Sequence, residues 1–127
     1  MLKEIYSGAH HRLYVLVQPS GRSPVEEFLI GLPERDRSRM WALIKSSCDN
    51  ELPLHNREKC KLVEGYKFYE FKTPGQRIIW CWLRGQGIAL LHGFTKRQDR
   101  IAEADLNTAN ARYDDAQKDF AAKRMSP

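Results

Sequence analysis

An α+β fold is predicted, in which a strand and two helices precede a three-strand antiparallel meander and a C-terminal helix. Three observations predict it. From Tyr66 to Arg97, YKFYEFKTPGQRIIWCWLRGQGIALLHGFTKR, apolar runs are interrupted by Pro74-Gly75 and Gly85-Gln86-Gly87, the turn chemistry of hairpins. Ahead of this stretch, two segments carry apolar residues at the three-and-four spacing of amphipathic helices. Behind it, Ala102, Leu106, Ala109, Tyr113, Ala116 and Phe120 repeat with the same period. At 127 residues and 42% hydrophobic, the chain has apolar material for one core. It is expected to form a single domain over 1–127, with its core at about 12–120.

Each element follows from local chemistry. Leu13 to Val17 is a continuous apolar run ended by Pro19-Ser20-Gly21, a buried first strand. Ser23 is placed as an N-cap, with Pro24 at the first helical position and Glu26 as the reciprocal capping carboxylate. Val25, Phe28, Leu29 and Leu32 form that helix's apolar stripe. Pro33 opens a second helix in which Met40, Trp41, Ile44 and Cys48 recur, with Arg35, Arg37, Arg39 and Lys45 mostly outside. Asp49 to Lys61 has weak periodicity and a proline, and reads as a loop returning toward the sheet.

In the meander, setting Lys72 opposite Arg77 and Arg84 opposite Gly87 puts Glu70 across from Ile79 and His92, and Arg77 across from Phe94. Alternation then gives Tyr69, Phe71, Ile78, Trp80, Trp82, Ala89 and Leu91 one face, to be covered by helices. The other face carries Phe68, Ile79, Cys81 and Leu90 in its middle, and Glu70, Lys72, Arg77 and His92 near the Pro74 turn. For the first strand to extend this sheet, the helical hairpin must cross one face, leaving the other to a ligand or another chain. The last helix docks on this sheet or on a partner, and the terminal AAKRMSP is expected to fray.

The formal charge is +5, a balance that suits a polyanionic partner. Basic residues dominate from Arg57 to Arg97, whereas Asp99 to Asp119 is rich in acid, so the positive field belongs to the meander. Cys48, Cys60 and Cys81 have no CxxC spacing, which argues against a disulfide framework or a zinc site. The start lacks a signal-peptide core, and the longest apolar run, Ile78 to Leu83, is too short to cross a bilayer. A reduced, cytoplasmic setting without membrane insertion is expected.

Glu70-Phe71-Lys72 on the second of four strands, Arg77 opening the third, and Leu90-Leu91-His92-Gly93-Phe94-Thr95-Lys96-Arg97 closing the fourth resemble the RelE/ParE toxin superfamily. Within it the chain looks most like the HigB-type branch, which includes phage-derived relatives. The similarity covers roughly Arg12 to Phe120. It departs from the usual pattern at Phe71-Lys72 for Leu-Arg, at Gln76 for an aromatic residue, and at Arg97-Gln98-Asp99-Arg100 for a Lys-Thr-Pro-rich run.

The resemblance implies a RelE-like fold and a toxin of a type II toxin–antitoxin pair. It also implies a ribosome-dependent mRNA endonuclease that inhibits translation by transesterification, with no metal or other cofactor. Its partners are then the ribosome, mRNA and a cognate antitoxin, expected to be a helix-turn-helix protein. Arg77 is the expected phosphate clamp, with Lys72 and Lys96 supplying further charge or proton transfer. His92 is a candidate acid or base. Each has a plain structural alternative: a salt bridge from Arg77 to Glu70, solvated lysines, and an imidazole that orders the final turn. Glu70 is expected to orient Arg77 rather than act as a base, since neighbouring cations keep it ionised. Arg57, Lys59 and Arg97 are candidate RNA-phosphate contacts, and Tyr66, Phe68 and Phe94 either stack on bases or pack. Two other functions suit the same residues: a noncatalytic ParE-like inhibitor of a protein target such as gyrase, and a decayed phage-derived binding module.

Overall fold

The computed structural model describes residues 1–50 and 60–125. The order is β1 (Leu2–Ser7), β2 (Arg12–Leu16), α1 (Pro24–Ile30), α2 (Glu34–Asp49), β3 (Cys60–Leu62), β4 (Tyr69–Thr73), β5 (Gln76–Leu83), β6 (Gly87–Thr95) and α3 (Glu103–Met125). One six-stranded sheet runs β1-β2-β6-β5-β4-β3. It is antiparallel except where β2 lies parallel to β6. The α+β class and the predicted strands and helices are present, joined by edge strands β1 and β3, which periodicity did not mark; of the loop expected from Asp49 to Lys61, Asp49 ends α2, Cys60 opens β3, and 51–59 lie outside the described residues.

Helices cover both faces. On one, Val25 and Leu29 of α1 and Met40, Ile44 and Cys48 of α2 pack with Leu13, Val15, Phe71, Ile78, Trp80, Ile88 and Leu90. On the other, Ala109 and Ala116 of α3 pack with Phe68, Ile79, Cys81, Leu83, Ala89 and Leu91. The face expected to remain available is therefore occupied by the chain's own last helix. No described helix is long and apolar enough to cross a membrane.

The register holds at the Pro74 end: Lys72 faces Arg77, Glu70 faces Ile79, and Ile79 and Arg77 face His92 and Phe94. Beyond Ile79 it shifts, pairing Trp80 with Leu90 and Leu83 with Gly87. This bulge corrects three expected positions: Ala89 and Leu91 lie on the α3 side, and Leu90 lies under the helical hairpin. A bulge inserts an extra, unpaired residue into one strand. Here that residue is Leu91.

Local chemistry explains the remaining positions. Gly75 takes φ 77 behind Pro74, the combination a type II turn requires. Ser23 and Pro24 begin α1 as predicted, but the Ser23 hydroxyl makes no capping bond, and Glu26 pairs with Lys3 at 3.1 Å instead of completing a capping box. The C-terminal end of α3 is fastened to β1: Leu2 N–H donates to Asp119 Oδ2 at 2.9 Å, and Lys123 Nζ donates to the Leu2 carbonyl at 2.9 Å. The tail expected to fray is helical through Met125, and Ser126 and Pro127 lie outside the described residues.

Candidate active site at the turn end of the sheet

Strands β4 and β5 deliver Lys72 and Arg77 as a cross-strand pair, and β6 sets Phe94 beside Arg77. The chain after β6 is held to the same turn, because Lys96 N–H donates to the Gly75 carbonyl at 2.9 Å and Thr95 Oγ1 donates to Gln76 Oε1 at 3.0 Å. Lys72, Arg77, Lys96 and Arg97 are accordingly gathered at one end of the sheet. Arg57 and Lys59 lie outside the described residues.

Arg77 is only 9% exposed. Its Nη1 donates to the carbonyls of Thr73 at 2.8 Å and Gln76 at 2.7 Å, which fastens the turn from within. Both bonds use the same nitrogen, so Nη2 and Nε are not committed to them. Glu70 is buried to the same degree and lies opposite Ile79 on one side and Lys61 on the other. Among the described residues no ion pair joins Glu70 to Arg77.

His92 occupies a defined chain of bonds. Its Nε2 lies 2.7 Å from Asp105 Oδ1, and Arg112 Nη1 lies 3.2 Å from its Nδ1 while also donating to the Leu91 carbonyl at 3.0 Å. A guanidinium only donates, so Nδ1 must be the acceptor and Nε2 must carry the proton. In that arrangement Nε2–H donates to Asp105, and a proton on Nδ1 would oppose the Arg112 N–H. Burial pushes the Arg112 pKa below its ordinary value. The bulge supplies Arg112's other anchor, since Leu91 has no β5 partner.

Neither Asp105 nor Arg112 was singled out by sequence reasoning. A signal was present: Asp105, Ala109, Arg112 and Ala116 follow one another at helical spacing, so two charged residues share the stripe of two buried alanines.

A cavity of about 480 Å³ opens beside this chain, lined by Lys96, Arg97, Arg100 and Asp105, with Phe28 and Phe94 at its wall. Phe28 reaches it because residue 93 is glycine: a Cβ there would collide with the Phe28 ring. Phe94 stacks on His92 with centroids 5.5 Å apart. Tyr66 stacks on Phe68 at 4.7 Å, and Phe68 is fully buried, so Phe68 packs. All three cysteines are buried free thiols whose pKa values burial pushes up to about 12, far from nucleophilic range.

The family model described as phage derived protein Gp49-like (DUF891) matches residues 27–114. A search of curated proteins finds no match. The matched span runs from α1 to the middle of α3, so it includes the meander, the cavity and both α3 residues that hold His92.

Proposed function

The chain belongs to the phage-derived Gp49-like family, a RelE/toxin-like family, and from that premise we propose that it is a HigB-type toxin of a type II toxin–antitoxin system. Its activity is ribosome-dependent cleavage of mRNA, restrained by a cognate helix-turn-helix antitoxin. The observation that carries this reading is the convergence of Lys72, Arg77, Lys96, Arg97 and Arg100 on one end of the sheet, three of them lining a cavity with two aromatic rings. Cations bind the RNA backbone irrespective of sequence, and aromatic faces accept unstacked bases. Transesterification needs little else from the protein beyond a proton acceptor, a donor and charge stabilisation of the phosphorane.

A second reading, noncatalytic inhibition of a protein target such as gyrase, is favoured by one observation: Arg77 Nη1 and both nitrogens of His92 already have partners within the chain. The two readings separate in primer extension on cellular transcripts after induced expression, with translation blocked in a parallel sample. Cleavage that requires both translation and Arg77 is expected. Arg77→Ala should abolish cleavage and growth arrest; growth arrest with intact transcripts would instead establish the protein target.

A further inference from the structure

Sequence reasoning offered His92 as the acid or base, yet Asp105 is the member of this bonded chain that lines the cationic cavity. His92 is not among the cavity's lining residues, and its Nδ1 accepts from Arg112 while its Nε2–H is spent on Asp105 Oδ1. Asp105 Oδ2 has no hydrogen-bond partner among the described residues, and the side chain retains 27% of its exposure. Neighbouring cations keep this carboxylate ionised, as they do Glu70; what sets Asp105 apart is that it is held on one oxygen and open on the other at the wall of the cationic cavity.

We propose that Asp105 is the general base of the proposed reaction, and that His92 and Arg112 are positioning residues that aim it. The inference rests on the ribonuclease reading. With an RNA phosphate seated on Lys96, Arg97 and Arg100, the ribose 2′-oxygen forms its bond to phosphorus as its proton passes to Asp105 Oδ2. The bond from phosphorus to the 5′-oxygen breaks, its electron pair stays on that oxygen, and the Lys96 ammonium supplies the proton. A cyclic phosphate and a free 5′-hydroxyl result. Asp105 then loses a proton to water and Lys96 regains one, so no proton is gained or lost overall.

The roles follow from the bonds. Arg112, anchored on the carbonyl freed by the bulge, fixes the tautomer of His92. That tautomer presents its one N–H to Asp105, much as a buried carboxylate orients a histidine in hydrolytic triads, with the order of the two groups reversed. Asp105 also lies in the first turn of α3, where a carboxylate is favoured by the helix dipole, so a purely structural role makes a different set of expectations.

The test is single-turnover cleavage of mRNA on programmed ribosomes by the full-length protein. Asp105→Asn keeps an acceptor for His92 but removes the base. It should lower kcat by on the order of 100-fold or more, leave KM unchanged or lower, and unfold within a few degrees of wild type. Asp105→Glu, which restores a carboxylate, should recover part of the rate. His92→Gln, which keeps an N–H for Asp105, should lose less than Asp105→Asn. Nitrogen-15 spectra of the wild-type imidazole should show a proton on Nε2 and none on Nδ1.

If wild type cleaves and Asp105→Asn cleaves equally well, or His92→Gln is the more damaging change, the assignment of the base is overturned while the ribonuclease reading stands. A wild-type protein that arrests growth without cleaving on the ribosome defeats the ribonuclease reading, and the base with it.

Discussion

Gly93 shows how one absent side chain shapes the site. It lies on β6 between His92, which faces α3, and Phe94, and the ring of Phe28 from α1 occupies the space a Cβ would need. The near carbons of that ring, including Cγ, are among the atoms in the way, so rotating the far end of the side chain gives no relief. Gly93→Ala must push α1 away from the sheet or force Phe28 off its rotamer, at a cost of about 1–3 kcal/mol. It should also widen the cavity wall that Phe28 forms with Phe94. Urea unfolding is the check: the midpoint should fall with little change in slope, and an unchanged midpoint would mean that the Phe28 ring moves freely. The glycine between histidine and phenylalanine in the motif thus has a packing reason that can be stated without reference to catalysis.

At the level of elements, α3 serves two ends of the molecule. Near its start, Asp105 and Arg112 hold His92; near its end, Asp119 and Lys123 bond the N–H and C=O of Leu2. Strand β1 has only β2 as a neighbour, and its ladder is irregular between Glu4 and Tyr6, so this clamp adds to the Met1–Val17 backbone bonds that hold its N-terminal end. Replacing Asp119 and Lys123 together by alanine removes two hydrogen bonds that involve charged side chains, worth about 3–6 kcal/mol in all if buried and less here because Lys123 is half exposed. Amide exchange should accelerate across Leu2 to Ser7 and leave β5 and β6 protected; uniform acceleration would show that β1 does not open by itself.

The same elements show what could be read from the chain. The Pro74 turn and its flanking register were legible, since Pro-Gly fixes a two-residue connection and Glu70, Lys72 and Arg77 mark the polar positions around it. The bulge was not, because Ile78 to Leu83 and Ile88 to Leu91 are apolar on both faces and alternation carries no register there. Strand β1, LKEIYS, mixes charge and apolar residues without a clean period, and β3 is three residues long. In the candidate site, the residues proposed on the meander were named from turn chemistry and alternation. Asp105 and Arg112 were lost in a helix dense with charge, although their place on the alanine stripe marked them.

For the molecule as a whole, the cysteines link both cores to pH. Cys48 and Cys60 lie in the core beneath the helical hairpin, and Cys81 lies beneath α3, where Gln117 Nε2 approaches its sulfur at 3.6 Å. Burial raises each thiol from 9.0 to about 12, so the folded protein keeps protons that the unfolded chain releases near pH 9. The folded state then binds more protons between those two values, and stability must fall as pH rises through that window. The thiol contribution is complete below about pH 9 and is lost progressively toward pH 12. At pH 10 each thiol costs about 1 kcal/mol relative to neutral pH. Tyr113, raised by burial, and Tyr6, raised chiefly by its hydrogen bond to Asp49, add to the loss with the same sign. Unfolding midpoints measured from pH 7 to pH 10 should therefore decline, and Cys81→Ala, though less stable at neutral pH for the volume it removes, should decline less steeply than wild type. Equal slopes would mean that Cys81 ionises in the folded state, which requires water to reach the layer between α3 and the sheet. That is the layer in which Arg112 meets His92, so the alkaline slope also reports whether the floor of the candidate site is dry.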